Sequence, residues 1–135
     1  MDIIDVAAAL VFREQRLLIT RRPSGSHLEG LWEFPGGKRE AGETFEQCLV
    51  RELEEELGIE VDVGPLIETL VHSYPEKTVR LMFFRCRLKN KEPRPLGCPD
   101  FRWVTSSQLV QFQFPAADAL LLRRLEEDQD LWACS

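Results

Sequence analysis

Positive charge is in deficit here: 17 lysines and arginines face 23 aspartates and glutamates, a net charge of −6. A nucleic-acid surface needs a basic stripe to neutralise phosphates, so DNA or RNA is not an expected partner. Cysteine is sparse, and Cys48, Cys86, Cys98 and Cys134 contain no Cys-x-x-Cys pair. That argues against a zinc site or a disulfide framework and for reduced thiols in a cytoplasmic protein. No stretch approaches about 18 consecutive apolar residues, which excludes a spanning helix. The N-terminus also lacks the basic region and long apolar run of a secretion signal. Internal repeats and low-complexity segments are absent as well. What is there is 135 residues, the size of a single domain over 1–135, able to bury roughly two-thirds of its unfolded surface.

Against this background one stretch is dense in chemistry. Gly36-Gly37-Lys38-Arg39-Glu40-Ala41-Gly42-Glu43 leads into a segment containing Arg51-Glu52-Leu53-Glu54-Glu55-Glu56-Leu57-Gly58-Ile59. Thr44 with Gln47 three residues on forms a capping-box pattern, and Gly58 supplies a left-handed stop, so a helix is predicted from about Phe45 to Leu57. Phe45, Leu49, Val50, Leu53 and Leu57 recur at helical spacing as its buried stripe, while Glu52, Glu55 and Glu56 project from a neighbouring arc. Like charges at i, i+3 and i+4 repel, and Arg51, placed roughly opposite, does not compensate all three. A hard divalent cation, Mg²⁺ or Mn²⁺ rather than Zn²⁺, is the simplest partner for an all-carboxylate set with no His or Cys nearby. Composition alone favours a solvated acidic face.

The spacing decides between them. From Gly37 the chain reads Gly, five residues, Glu43, seven residues, Arg51-Glu52, an aliphatic, one residue, Glu55-Glu56, one residue, Gly58, an aliphatic. It resembles the Nudix box at every fixed position, a match that chance would give in roughly fewer than one window in a million. Ile19-Thr20-Arg21-Arg22, the His27 loop, Leu31 to Gly37, Trp103-Val104 and Phe114 to Asp118 extend the similarity to the MutT-type branch over about Ile3 to Leu125. The resemblance implies an α+β fold, an α/β/α sandwich with a mixed sheet and the loop-helix of the box. It implies Mg²⁺ held by Glu52, Glu55, Glu56 and the Gly36 carbonyl, Glu52 or Glu55 as the proton acceptor, and Glu43 bracing the catalytic Arg51. It further implies substrate contacts from Arg22, His27, Glu33, Phe34, Pro35, Gly36 and Asp118.

Along the chain, Ile3 to Phe12 and Leu17 to Thr20 read as strands about a polar turn, although Ala7, Ala8 and Ala9 favour a helix on propensity alone. Arg22, ahead of Arg21, matches a substrate-contacting residue and suits bidentate phosphate binding; solubilising a strand end is its plainer reading. His27 is a lone loop histidine, otherwise merely exposed. Trp32 to Phe34 is a short strand, with Trp32 in the core and Phe34 resembling the residue that lines the base pocket. Ile59 to Val63 and Leu66 to His72 read as two strands parted by Gly64-Pro65, then Thr78 to Leu88 as a long one. Lys89 to Asp100, with Pro93, Pro95 and Pro99, is a loop. MutT relatives carry a glutamate six residues before the tryptophan matching Trp103, where this chain has Gly97; Glu92 or Asp100 is a candidate substitute. Phe101 to Val104 is a last strand, Thr105 to Gln108 opens a short helix, and Pro115 leads into another with Ala117, Leu121 and Leu125 on one face. Residues 126–135 form an acidic tail, in which Trp132 has no assigned role.

Asp118 is either a carboxylate at a helix start or, matching a commonly asparagine position in the branch, the reader of the base. Ionised, it only accepts, and so prefers an edge with N–H donors: N7–H with the exocyclic amine of an oxidised guanine, or the N4 amine of a cytosine. The expected activity is Mg²⁺-dependent hydrolysis of a modified nucleoside triphosphate such as 8-oxo-dGTP to monophosphate and pyrophosphate, a nucleotide-pool sanitation function tied to DNA repair. Modified CTP or dCTP, nucleotide sugars or dinucleotides are the other substrate classes. A non-catalytic lesion-recognition module is the alternative from another class, opposed by the complete box. A monomer or weak dimer is expected, with no membrane partner.

Overall fold

The computed structural model describes residues 3–26 and 28–133. Strand β1 (Ile3–Arg13) turns into β2 (Arg16–Arg21), and two short strands, β3 (Trp32–Glu33) and β4 (Gly36–Lys38), precede helix α1 (Phe45–Leu57). A long hairpin follows, β5 (Glu60–Tyr74) and β6 (Lys77–Asn90), then β7 (Phe101–Val104), α2 (Ser106–Leu109), a 3-10 turn at Ala116–Asp118, α3 (Ala119–Glu127) and α4 (Asp130–Ala133). Among the described residues no helix is long and apolar enough to cross a membrane. Cys48, Cys86 and Cys98 are buried free thiols.

The sheet runs β3-β2-β1-β6-β5, with β4 added to β1 and β7 to β2. β1 lies parallel to β6 from Ile3 opposite Thr78 to Phe12 opposite Arg87, and the remaining pairs are antiparallel, which makes the sheet mixed. Ala7, Ala8 and Ala9 are buried on both faces of this central strand, and sheet pairing there overrides their helical propensity. Ala7, Ala9 and Val11 pack on one face with Leu49, Leu53 and Leu57 of α1. Leu10 and Phe12 pack on the other with Leu121 and Leu125 of α3 and Trp132 of α4. Helices therefore cover both faces, the sandwich that the resemblance implies.

The capping box of α1 is formed from both sides: Thr44 Oγ1 accepts from the Gln47 N–H at 3.0 Å, and Gln47 Oε1 from the Thr44 N–H at 2.9 Å. Thr44→Ala is expected to cost about 1 kcal/mol, read as a lower urea midpoint; an unchanged midpoint would mean that the Gln47 half suffices.

Two expectations are corrected, and Trp132 gains a role. Val50 is 42% exposed, because the stripe that meets the sheet is centred on Leu49 and Leu53 and takes Cys48 as its flank. Gly64-Pro65 does not divide two strands. β5 runs through it with register shifts, and as the sheet edge it tolerates a proline without an N–H. Trp132 is 3% exposed, edge-on to Phe12 at 5.3 Å, with Nε1 donating to the Leu125 carbonyl at 2.9 Å, and it closes the second core.

Candidate active site

Tight backbone approach builds the site. A side chain on Gly36 would lie 2.0 Å from the Ala7 carbonyl oxygen, and one on Gly37 about 2.4 Å from the Glu52 carboxylate. Only glycine lets β4 lie this close to β1 and lets Glu52 enter beneath the loop. The resulting cleft, of about 500 Å³, joins Gly36, Gly37, Glu52 and Glu56 to Arg22, Glu33, Phe34 and Asp118.

Arg51 organises the box end. Its Nη2 and Nε donate to the two Glu43 oxygens at 2.6 and 3.1 Å, and its Nη1 reaches Glu52 Oε1 at 3.0 Å and Glu55 Oε2 at 3.5 Å. Arg51 thus lies among the carboxylates rather than opposite them: its long side chain folds back along the helix surface. It holds the Glu43 carboxyl down to about 2, with the Glu40 N–H adding to the effect. Glu56 receives weaker help, from the charge of Arg22. Burial, then repulsion from Glu33 and Glu52, pushes it up to about 8, although the Gly36 N–H donates to it at 3.2 Å. Burial also raises Glu52, opposed by Arg51. Glu55 lies apart, 61% exposed, along a separate groove between α1 and β5 with Glu46, Val50 and Asp62.

Among the described residues, no three His, Cys, Asp or Glu side chains converge into a ready-made ion cage. The donor chemistry nevertheless fits a hard divalent cation. Glu33, Glu52, Glu56 and Asp118 line one cleft, Arg22 there is engaged by Glu33 at 2.9 Å, and the carboxylates are raised by their own burial and repulsion. An oxygen-seeking cation would relieve that charge.

At the other end, Phe34 is buried, stacked on Phe114 at 5.0 Å and edge-on to Phe83 at 5.9 Å. Asp118 is 6% exposed and makes no side-chain cap to α3. Burial, then the Glu33 charge, raises its carboxyl to about 7. Near neutrality Asp118 is thus partly protonated, where the sequence reading takes it as ionised. Glu33 is itself raised by burial, against the pull of Arg22. His27 lies outside the described residues, and Pro35 contributes its carbonyl to the Ala9 N–H at 2.8 Å, a β1 contact.

The structure does not bring the two substitute acids to the site. Glu92 pairs with Arg13 at 2.8 Å, while Asp100 bonds the Phe101 N–H and Arg102. Gly97 does line the cleft, but a side chain begun there would sit 3.2 Å from the Glu56 Cα. Glu92→Gln and Asp100→Asn are expected to leave turnover and metal dependence within about twofold of the parent, as surface substitutions do; a tenfold loss in either would restore it as a ligand. Ile4, Val6, Lys38, Tyr74, Lys77 and Leu81 also line the cleft and were not singled out from the sequence. The alternation Ile4, Val6, Ala8 was the available signal for the first two. Tyr74 and Lys77 flank a hairpin turn, which sequence spacing does not orient.

Known proteins resemble this chain along most of its length. The family model for the NUDIX domain matches residues 7–124. An 8-oxo-dGTP diphosphatase of Haemophilus influenzae is 40% identical over 91% of this chain and 91% of its own length. A CTP pyrophosphohydrolase of Escherichia coli is 35% identical over 90% of each chain. The solution structure of the E. coli ORF135 protein superposes with a TM-score of 0.78 at 33% identity, covering 91% of this chain and 88% of that one. A box helix seated on a mixed sheet, matched by relatives along almost their whole length, places this chain in the NUDIX domain family.

Proposed function

We propose that the protein is a Mg²⁺-dependent pyrophosphohydrolase of the cytoplasm that converts a modified nucleoside triphosphate, 8-oxo-dGTP first, to its monophosphate and pyrophosphate. The observation that carries this reading is the single cleft that joins a carboxylate pair, Glu52 and Glu56, to an aromatic and carboxyl pair, Phe34 and Asp118. A triphosphate has an end for each. Glu52, Glu56 and the Gly36 backbone would hold the cation, whose chemistry when bound is to neutralise phosphate oxygens and acidify water. Arg51 fixes Glu52 by Oε1, leaving Oε2 as the oxygen that takes the proton from water attacking the β-phosphorus; the nucleoside monophosphate leaves. Arg22, steered by Glu33, supplies a guanidinium for phosphate oxygens. Phe34 packs on the base and Asp118 reads its edge.

A modified cytidine triphosphate is the second reading, favoured by the fraction of Asp118 that is ionised near its raised pKa of about 7 and then accepts from an N4 amine. A panel of triphosphates, dinucleotides and nucleotide sugars, with products resolved by ion-exchange chromatography, tests both. The expected result is pyrophosphate and monophosphate, with 8-oxo-dGTP giving the highest kcat/KM; faster cleavage of a dinucleotide or nucleotide sugar would refute the assignment.

A further inference from the structure

The loop between β4 and α1 is gripped from two sides. On its inner side, Arg51 holds the Glu43 carboxylate and, through Nη2, the Lys38 carbonyl at 3.3 Å. On its outer side stands Arg39, a variable position of the box. Its Nη1 donates to the Glu43 carbonyl at 3.0 Å, its Nη2 to Asp5 Oδ2 at 3.2 Å, and its guanidinium sits 5.0 Å from the Phe45 ring. Asp5, opposite Arg80 in the β1–β6 register, is taken by both prongs of that arginine: Nε to Oδ1 at 2.7 Å and Nη2 to Oδ2 at 3.1 Å.

We propose that Asp5 is a positioning residue for the reaction. Through Arg39 and the Glu43 backbone it fixes the loop that presents Glu43 to Arg51, and so fixes where Arg51 holds Glu52. The proposal rests on the reading of Glu52 as part of the catalytic set. An ion pair on open surface would carry little weight, but Asp5 is only 14% exposed and receives three charged hydrogen bonds. Arg39 Nε is already buried without a partner, so its side chain holds the loop through its two Nη groups, beside the backbone bond from the Arg39 N–H to the Asp5 carbonyl at 2.9 Å. Neutralising Asp5 leaves Nη2 facing a much weaker acceptor. The guanidinium then gains by turning to water, and the Glu43 carbonyl is released. Between that carbonyl and Glu52 stand only the Glu43 carboxylate and Arg51, and a shift of about 1 Å in a reacting group can cost up to a hundredfold in rate.

The test compares Asp5→Asn, Arg39→Met, their double variant and Arg80→Met, with Arg87→Met as control, since Arg87 is 74% exposed in a pair with Asp62 away from the loop. The readouts are kcat and KM for the best triphosphate, and the affinity for Mn²⁺ alone, followed by electron paramagnetic resonance without nucleotide. Asp5→Asn should lower kcat about five- to tenfold with KM within about twofold, and weaken Mn²⁺ by a similar factor. The double variant should be no worse than Arg39→Met, because both act through one contact. Arg87→Met should match the parent. A folded Asp5→Asn protein with parental kcat and Mn²⁺ affinity overturns the proposal, as do losses that multiply in the double variant. If Asp5→Asn does not fold, Arg80→Met decides, with a twofold or larger fall in kcat expected and none overturning it. Glu52→Gln run alongside separates the two claims: full turnover there defeats the catalytic reading itself, whereas loss there with an intact Asp5→Asn defeats only the positioning role.

Discussion

Glu56→Gln is expected to fold, to melt higher than the parent in metal-free buffer at pH 8, and to lose turnover by roughly two to four orders of magnitude. The stability gain follows from burial. Glu56 carries its charge in a cleft it shares with Glu33 and Glu52, and the Gly36 N–H and the Arg22 charge answer it only in part. An amide of the same shape accepts that bond and removes the repulsion. Turnover falls for the same reason: the charge that destabilises the empty cleft is the charge that a divalent cation requires. Glu55→Gln is expected to cost less than about tenfold, since that carboxylate is 61% exposed on the outer groove and contacts only Arg51 in the box. Thermal melts and steady-state kinetics on purified variants check both. Undiminished turnover by Glu56→Gln without added metal would remove the carboxylates from the chemistry.

The second large effect is expected at Asp118. Its carboxyl titrates at about 7, raised by burial and then by Glu33. A raised acid binds more protons folded than unfolded, so its contribution to stability is complete below the ordinary value of 3.8 and is lost as pH climbs through about 7. Asp118→Asn should remove that loss, gaining up to about 4 kcal/mol at pH 8 and making the fall of stability between pH 4 and 7 shallower, with the raised Glu33, Glu52 and Glu56 supplying the slope that stays. Specificity should change with the same proton. A neutral carboxyl donates from its O–H and accepts at its carbonyl, which matches the N7–H and O6 of an oxidised guanine; ordinary guanine offers two acceptors there. The kcat/KM ratio of 8-oxo-dGTP to dGTP should therefore be high at pH 6 and fall above pH 7 in the parent, yet stay level with pH in Asp118→Asn. In Asp118→Ala the ratio should drop by roughly tenfold or more, the cost of a buried hydrogen bond left unmade. A parental ratio in Asp118→Ala would confine that residue to the start of α3.

The sequence by itself determined the box helix, from Thr44 to Gly58. Its capping box, apolar stripe and glycine stop act within a few residues of one another, and local backbone chemistry needs no tertiary partner to be recognised. The family, and with it the sandwich, was legible for the same reason: Gly37, Glu43, Arg51, Glu52, Glu55, Glu56 and Gly58 keep a fixed spacing. Helical spacing, however, gives only the direction a side chain leaves its helix, not what it meets. Tertiary structure alone sent Glu56 into the cleft and Glu55 to the outer groove, brought Arg51 back among the carboxylates, and took Glu92 and Asp100 to Arg13 and Arg102. It also set Asp118 beside Glu33, 85 positions away in the chain, and the proton that Asp118 keeps near neutrality comes from that burial and that neighbour. Desolvation and charge proximity are properties of three-dimensional packing, and no pattern along the chain encodes them.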